Sequence, residues 1–259
     1  MQVGARLRQS AGKRKSHRLA ITARCLLFSI SALAFAADKK PALEPTVDSG
    51  SFAVLMGGRR VGTETFSISQ NSDGSSITSH FKTEAGTEKA EQSSDLELYA
   101  NGDLRKYEWH ELAPGQSHAI VEPKESFLIQ HEWKNPSDKP LEQPFLLPAS
   151  TTILDDYFFV QREVLAWRYL FTACKQDKGI QCPLKQKTQM GTLNPHARSS
   201  QAVTVEFVGR EKVSIHGTDR ELIRLDMTTE SGDWSLWIDD SLKLQRVVNP
   251  IENTEVVRD

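Results

Sequence analysis

The sequence predicts an α+β domain: a strongly curved antiparallel sheet, an incomplete barrel, wrapped around one apolar helix. Three observations carry this expectation. Short stretches of alternating apolar and polar residues, separated by glycine, asparagine and proline turns, recur over 52–133 and 203–248. One stretch at about 153–173 has the longer period of a helix and is apolar on most of its circumference. No clean boundary separates the two strand-rich halves, so residues 51–259 read as a single domain.

Residues 1–36 read as a secretory signal peptide. Lys13, Arg14, Lys15, Arg18 and Arg24 precede the apolar run CLLFSISALAFAA at 25–37, in which Ala34-Phe35-Ala36 offers a small-x-small cleavage pattern. The run falls short of the about 20 residues a membrane helix needs. Cys25 lies inside it and reads as apolar filler, because Thr22-Ala23-Arg24 is not the lipobox of a lipoprotein. The signal holds seven of the 32 basic side chains and none of the 34 acidic ones, which leaves 25 basic against 34 acidic, a formal charge of about -9. That balance argues against nonspecific nucleic-acid binding, which needs positive charge to displace counterions. It suits a protein of the periplasm or the extracellular space. No second apolar run reaches membrane length, so no transmembrane span is expected in the mature chain. Cys174 and Cys182, the remaining cysteines, read as one disulfide in an exported chain, their spacing being unlike the C-x-x-C of a redox site.

Residues 37–50, with Pro41, Pro45 and Gly50, read as a flexible lead-in. Phe52, Val54 and Met56 then alternate into the turn Gly57-Gly58, and the chain resumes over 59–70 with Phe66 and Ile68 on one face. Asn71-Ser72-Asp73-Gly74 turns it into Ile77, Ser79 and Phe81. Leu96, Leu98 and Ala100 lead to Asn101-Gly102, then Tyr107 and Trp109 share a face. Pro114-Gly115 turns the chain again, and Phe127, Ile129, His131 and Trp133 line another strand. Consecutive hairpins of this kind imply an antiparallel meander.

Pro136, Pro140, Pro144 and Pro148 break the pattern before the helix. Thr152 is placed to cap it, with Asp155 as a capping-box analogue and Asp155 and Asp156 favouring the positive end of the dipole. Ile153, Tyr157, Val160, Val164, Trp167 and Phe171 fall on one side and Leu154, Phe158 and Leu165 on a second, leaving Asp155, Arg162 and Glu163 as a narrow polar stripe. Such a helix needs cover on most of its surface, from a curved sheet or a second subunit. Each large side chain fully buried there is worth about 1.5–3 kcal/mol. Residues 174–200 form a long polar connection pinned by the cysteines. Strands resume at Val203–Phe207, Val213–Ile215, Ile223–Met227, Trp234–Ile238 and Leu242–Val248. Pro250 ends the last of them, and the tail 251–259 adds a short edge strand.

Three stretches, FAVLMGGRRVGTETFSI at 52–68, VTVEFVGREKVSIHGTDRELIRLDM at 203–227 and WSLWIDDSLKLQRVV at 234–248, resemble the exported bacterial proteins of the DUF3108 type. The most telling parts are Gly58 to Gly62, the V-G-R-E step at 208–211 and the strand ending in Ile238-Asp239. The resemblance implies a LolA-like lipoprotein-carrier fold and an exported location, and it assigns no residue roles. The segment bearing Cys174 and Cys182 is not part of that pattern.

Motifs that carry chemistry are few. There is no H-E-x-x-H, G-x-S-x-G or G-x-x-x-x-G-K. Gly57, Gly58 and Gly62 precede strand-like sequence, whereas a dinucleotide loop opens a helix. Glu108-Trp109-His110 and His131-Glu132-Trp133 are mirrored, and would bring two histidines and two glutamates together if their strands were neighbours, a set a transition metal accepts. Asp239 and Asp240 read as turn residues. No catalytic residue, metal site or cofactor is therefore assigned. The expected function is non-catalytic binding of a lipid or other hydrophobic or amphipathic ligand between helix and sheet, lined by Phe158, Leu165, Trp167 and Trp237, with 174–200 gating the mouth. The alternative is a cell-envelope structural module with a filled core that meets an envelope protein. An envelope-polymer hydrolase ranks third, for want of a nucleophile with a spaced base.

Overall fold

The computed structural model describes residues 46–84, 89–175, 180–230 and 232–259. The signal peptide, Cys25 and most of the lead-in lie outside them. The first half of the chain forms β1 Thr46–Met56, β2 Arg59–Gln70, β3 Gly74–Thr83, β4 Glu91–Tyr99, β5 Leu104–Ala113, β6 His118–Lys124, β7 Phe127–Trp133 and β8 Leu141–Phe145. After β9 Thr152–Ile153 comes the helix α1 Val160–Ala173. The second half forms β10 Lys187–Asn194, β11 Ser199–Ile215, β12 Thr218–Thr229, β13 Gly232–Ile238, β14 Leu244–Asn249 and β15 Thr254–Arg258. All fifteen strands belong to one sheet, in the order β8-β7-β6-β5-β4-β3-β2-β1-β15-β14-β13-β12-β11-β10-β9. Each half is the expected meander, and β15 paired to β1 joins them.

This overturns the α+β expectation of an incomplete barrel wrapped around one apolar helix. Among the described residues the chain is nearly all β: one open sheet with a single short helix, its edges β8 and β9 unpaired with each other. The helix is not apolar either, since it buries Gln161, Arg162 and Glu163. Its start moves from about 153 to 160. Thr152 and Ile153 pair in parallel with β10, and the Leu154 amide donates to the Leu193 carbonyl. Asp155 bonds the Tyr157 amide, while the Gln161 side chain accepts from the Asp155 amide. With these backbone groups already satisfied, no capping box forms at Thr152.

Several polar stretches are strands because the ladder, not side-chain burial, holds them. β8 sits inside the proline-rich stretch, where Pro144 is tolerated on an edge strand. β10 occupies Lys187–Asn194 within the expected 174–200 loop, and β1 begins within the expected 37–50 lead-in. The stretches 203–207 and 213–215 are one strand interrupted by a register shift at Phe207/Gly209. The tail is not an edge strand: β15 lies between β1 and β14. Gly57 and Gly58 make the β1–β2 turn at φ 57° and 75°, where glycine carries no Cβ penalty.

Most core residues form one cluster between helix and sheet, with Phe52, Ile77, Leu96, Tyr107, Leu165 and Leu225 among the most buried. A smaller cluster of Val213, Ile215, Leu222 and Trp237 covers part of the sheet's other face. Cys174 and Cys182 stand as a disulfide pair with Cα atoms 4.4 Å apart, just beyond the helix. No helix among the described residues is long and apolar enough to cross a membrane.

Candidate functional site

Period two along β2 puts Gly62, Glu64, Phe66 and Ile68 on the core face, so a glutamate points at the helix. The N-cap residue Phe159 makes no side-chain cap of its own. Glu64 supplies one from across the core: its carboxylate accepts from the Phe159 amide at 2.7 Å, the Val160 amide at 3.2 Å and the Ser79 hydroxyl at 2.7 Å. A carboxylate there also meets the positive end of the helix dipole. Burial pushes the Glu64 carboxyl up to about 7, against the pull of Ser79, the two amides and nearby Arg162.

The narrow polar stripe of Asp155, Arg162 and Glu163 is buried as well, and each member meets a different part of the sheet side. Glu163 accepts from the Leu244 amide and from Arg258, both at 2.9 Å. Arg258 also holds Asp48 at 2.6 Å, and Lys243 reaches the same carboxylate at 2.7 Å. Burial, together with the facing Asp48 carboxyl, pushes Glu163 up to about 9. Burial works the same way on Asp48, but Arg258, Glu163 and Lys243 outweigh it and hold Asp48 down at about 2. Asp155 accepts from the Tyr107 hydroxyl and from His196 Nδ1, each at 2.6 Å. His196 stacks on Trp109 at 4.0 Å and its Nε2 has no hydrogen-bond partner. A carboxylate–imidazole pair of this kind orients a histidine for proton transfer, but among the described residues no hydroxyl or thiol is hydrogen-bonded to that Nε2, so no nucleophile completes it.

Arg162, the third member, has a different setting. Only 5% exposed, it lies over the Phe159 ring at 4.7 Å and the Trp234 ring at 4.6 Å. Its Nη1 donates to the Asp155 carbonyl at 3.3 Å, and its Nε has no acceptor. It lines a cavity of about 580 Å³ near the start of the helix, whose apolar wall includes Val54, Val61, Phe81, Phe159, Met227 and Trp234. A second cavity, of about 420 Å³, lies by the last turns of the helix against β4. Leu98, Val164, Trp167 and the 60%-exposed Phe171 contribute to it.

The four expected lining residues do not come together. Phe158 and Leu165 are fully packed core and line neither cavity. Trp167 lines the second cavity and donates its indole N–H to the Leu242 carbonyl at 2.5 Å. Trp237 is in the cluster on the opposite face of the sheet, under Arg224 and Arg246, with its indole N–H on Glu211. The mirrored histidines are two strands apart: β6 separates β5 from β7, and His118 stands between His110 and Trp133, stacked at 5.4 and 4.5 Å. No group of three or more metal-ligating side chains gathers there or elsewhere among the described residues.

Sequence reasoning missed Glu64, Arg162 and His196. The first two had a signal. Glu64 falls on the same strand face as Phe66 and Ile68, and Arg162 sits in a helix too apolar to leave it a wet side. His196, in a polar turn, had none. No family model, no curated protein and no solved structure matches the chain.

Proposed function

We propose that this protein binds a hydrophobic or amphipathic ligand, non-catalytically, in the cavity beside the start of the helix. The observation that carries the reading is that cavity's size and mixed wall: about 580 Å³, apolar at Val54, Val61, Phe81, Met227 and Trp234 and polar at Asp156, Arg162, Asn194, Gln201 and Glu252, as an amphipathic ligand would need. Small-molecule sites run from about 300 to 1,000 Å³ and are mostly apolar with a few polar groups. The reading includes export: cleavage after Ala36 would deliver the chain to the periplasm or beyond, and a purified secreted protein whose mass begins at Ala37 supports it.

The test is titration of the full-length mature protein with 1-hexadecanol, a neutral probe, followed by displacement of a hydrophobic fluorophore and by native mass spectrometry. Val61→Trp fills the wall and should weaken binding about tenfold or more, equivalent to about 1.4 kcal/mol, with the circular dichroism spectrum unchanged. Saturable binding lost in this variant supports the site; no binding by the wild type refutes it. A second reading, an envelope interaction module, draws on edge strand β8, whose first residue Leu141 is 54% exposed and whose follower Leu146 is 94% exposed. Such an edge offers unpaired backbone groups to a partner strand.

A further inference from the structure

We propose that Arg162 holds the acidic headgroup of the ligand, so that the cavity selects an amphiphile carrying a carboxylate or phosphate. This rests on the binding reading above and narrows it to a chemical class. The argument starts from the cost of burying a cation. A guanidinium removed from water needs a counter-charge and hydrogen-bond acceptors to offset lost hydration. The deeply buried acids of the helix region each have two or three donors: Glu64 has the Ser79 hydroxyl and two amides, Asp155 has three, and Glu163 has Arg258 and the Leu244 amide. Arg162 forms no ion pair among the described residues. Its one hydrogen bond goes to a neutral carbonyl, and Nε is left without an acceptor.

The acids that face it are occupied or distant. Glu64 is spent on Ser79 and the helix amides, and Asp155 on Tyr107, Tyr157 and His196. Asp156 and Glu252 also line the cavity, but both are exposed and neither reaches salt-bridge distance. The basic group is therefore inside an acidic, solvent-screened rim. The Phe159 and Trp234 rings on which Arg162 lies limit its motion. A guanidinium with Nη1 already engaged still presents donors for a planar or tetrahedral oxyanion. An alkyl chain extending from that anion would run along Val54, Val61, Phe81 and Met227.

The experiment measures dissociation constants of hexadecanoate, hexadecyl phosphate and 1-hexadecanol on the same protein, below their aggregation concentrations, at pH 7.5. The inference expects one or both anions to bind about tenfold or more tighter than the alcohol, the order of a charge-assisted hydrogen bond; which anion does so separates a carboxylate from a phosphate ligand. Arg162→Gln should abolish that preference, read as the ratio of the anion and alcohol dissociation constants measured on the same variant. Arg162→Lys, which keeps the charge and loses the fork, should retain part of it. Equal binding of all three by the wild type overturns the inference and leaves the binding reading standing. Failure of all three to bind overturns the binding reading itself. Because the wild-type comparison is decisive alone, a misfolded Arg162 variant does not rescue the idea.

Discussion

Replacing Glu64 by glutamine should change how stability depends on pH, in a direction and amount set by the residue's burial. The wild-type carboxyl sits at about 7 in the folded protein against an ordinary 4.5, because burial opposes its charge more than Ser79, the Phe159 and Val160 amides and Arg162 favour it. Below pH 4.5 the group is protonated in both states. Between 4.5 and about 7 the folded state binds more protons than the unfolded one, so stability falls as pH rises through that window. Above about 7 both states are ionised and this contribution stops changing. A shift of this size corresponds to about 3 kcal/mol at about 1.4 kcal/mol per pH unit. The Glu64→Gln side chain keeps a carbonyl oxygen for the helix amides but cannot ionise. The stability difference between variant and wild type should therefore move by about 3 kcal/mol in favour of the variant between pH 4 and pH 8. Urea unfolding followed by tryptophan fluorescence at half-unit pH steps reads this directly. Titrations elsewhere, including Asp48 and Glu163, cancel in the difference. A difference that stays flat across pH 4–8 would refute the view that Glu64 is a buried carboxyl strained by its own charge.

Two further perturbations test the packing around the cavity and the join between the sheet's halves. Arg258→Met keeps most of the volume against Phe52 and Phe66 but leaves Asp48 and Glu163 without their shared cation; it should cost about 3–5 kcal/mol in urea unfolding at pH 7, and a loss below about 1 kcal/mol would show that Lys243 suffices. Gly62→Ala would set a Cβ 2.7 Å from the Phe81 ring and 3.0 Å from the Lys82 carbonyl, so Phe81 must move. Expected are a destabilisation of about 1–3 kcal/mol and weaker binding of 1-hexadecanol, since Phe81 lines the cavity; unaltered affinity in a folded variant would remove Phe81 from the site.

The hairpins were legible wherever turn chemistry and alternation agreed. Gly57-Gly58, Asn71–Gly74 and Asn101-Gly102 all join strands as expected. What escaped were strands without a large apolar face. In β8 and β10 few side chains are large and buried, and the ladder hydrogen bonds that hold them depend on neighbouring strands rather than on local pattern. The C-terminal strand shows why a local pattern misleads. Thr254 to Arg258 looks like an edge, yet Arg258 lies opposite Phe52 and its guanidinium reaches Asp48 and Glu163, contacts 210 and 95 residues away. Those bonds tie β1, β15 and the helix together at the seam between the two meanders.

The helix carries the lesson about the site. Its apolar circumference implied burial on nearly every side, with Asp155, Arg162 and Glu163 left as a narrow polar stripe. The two inferences pull against each other. A helix covered all round has no wet strip, so Asp155, Arg162 and Glu163 must either be satisfied internally or wait for a partner. Asp155 finds Tyr107 and His196, and Glu163 finds Arg258 and the Leu244 amide. Neither pairing could be located from local sequence, because the strands that supply them lie tens of residues away. The same test of satisfaction separates Arg162 from the others: it alone is left on aromatic faces beside open volume. Apolar residues at helix spacing pointed to Phe158 and Leu165, which fill the core, whereas the candidate site turns on Arg162, a buried cation of the helix that forms no ion pair among the described residues.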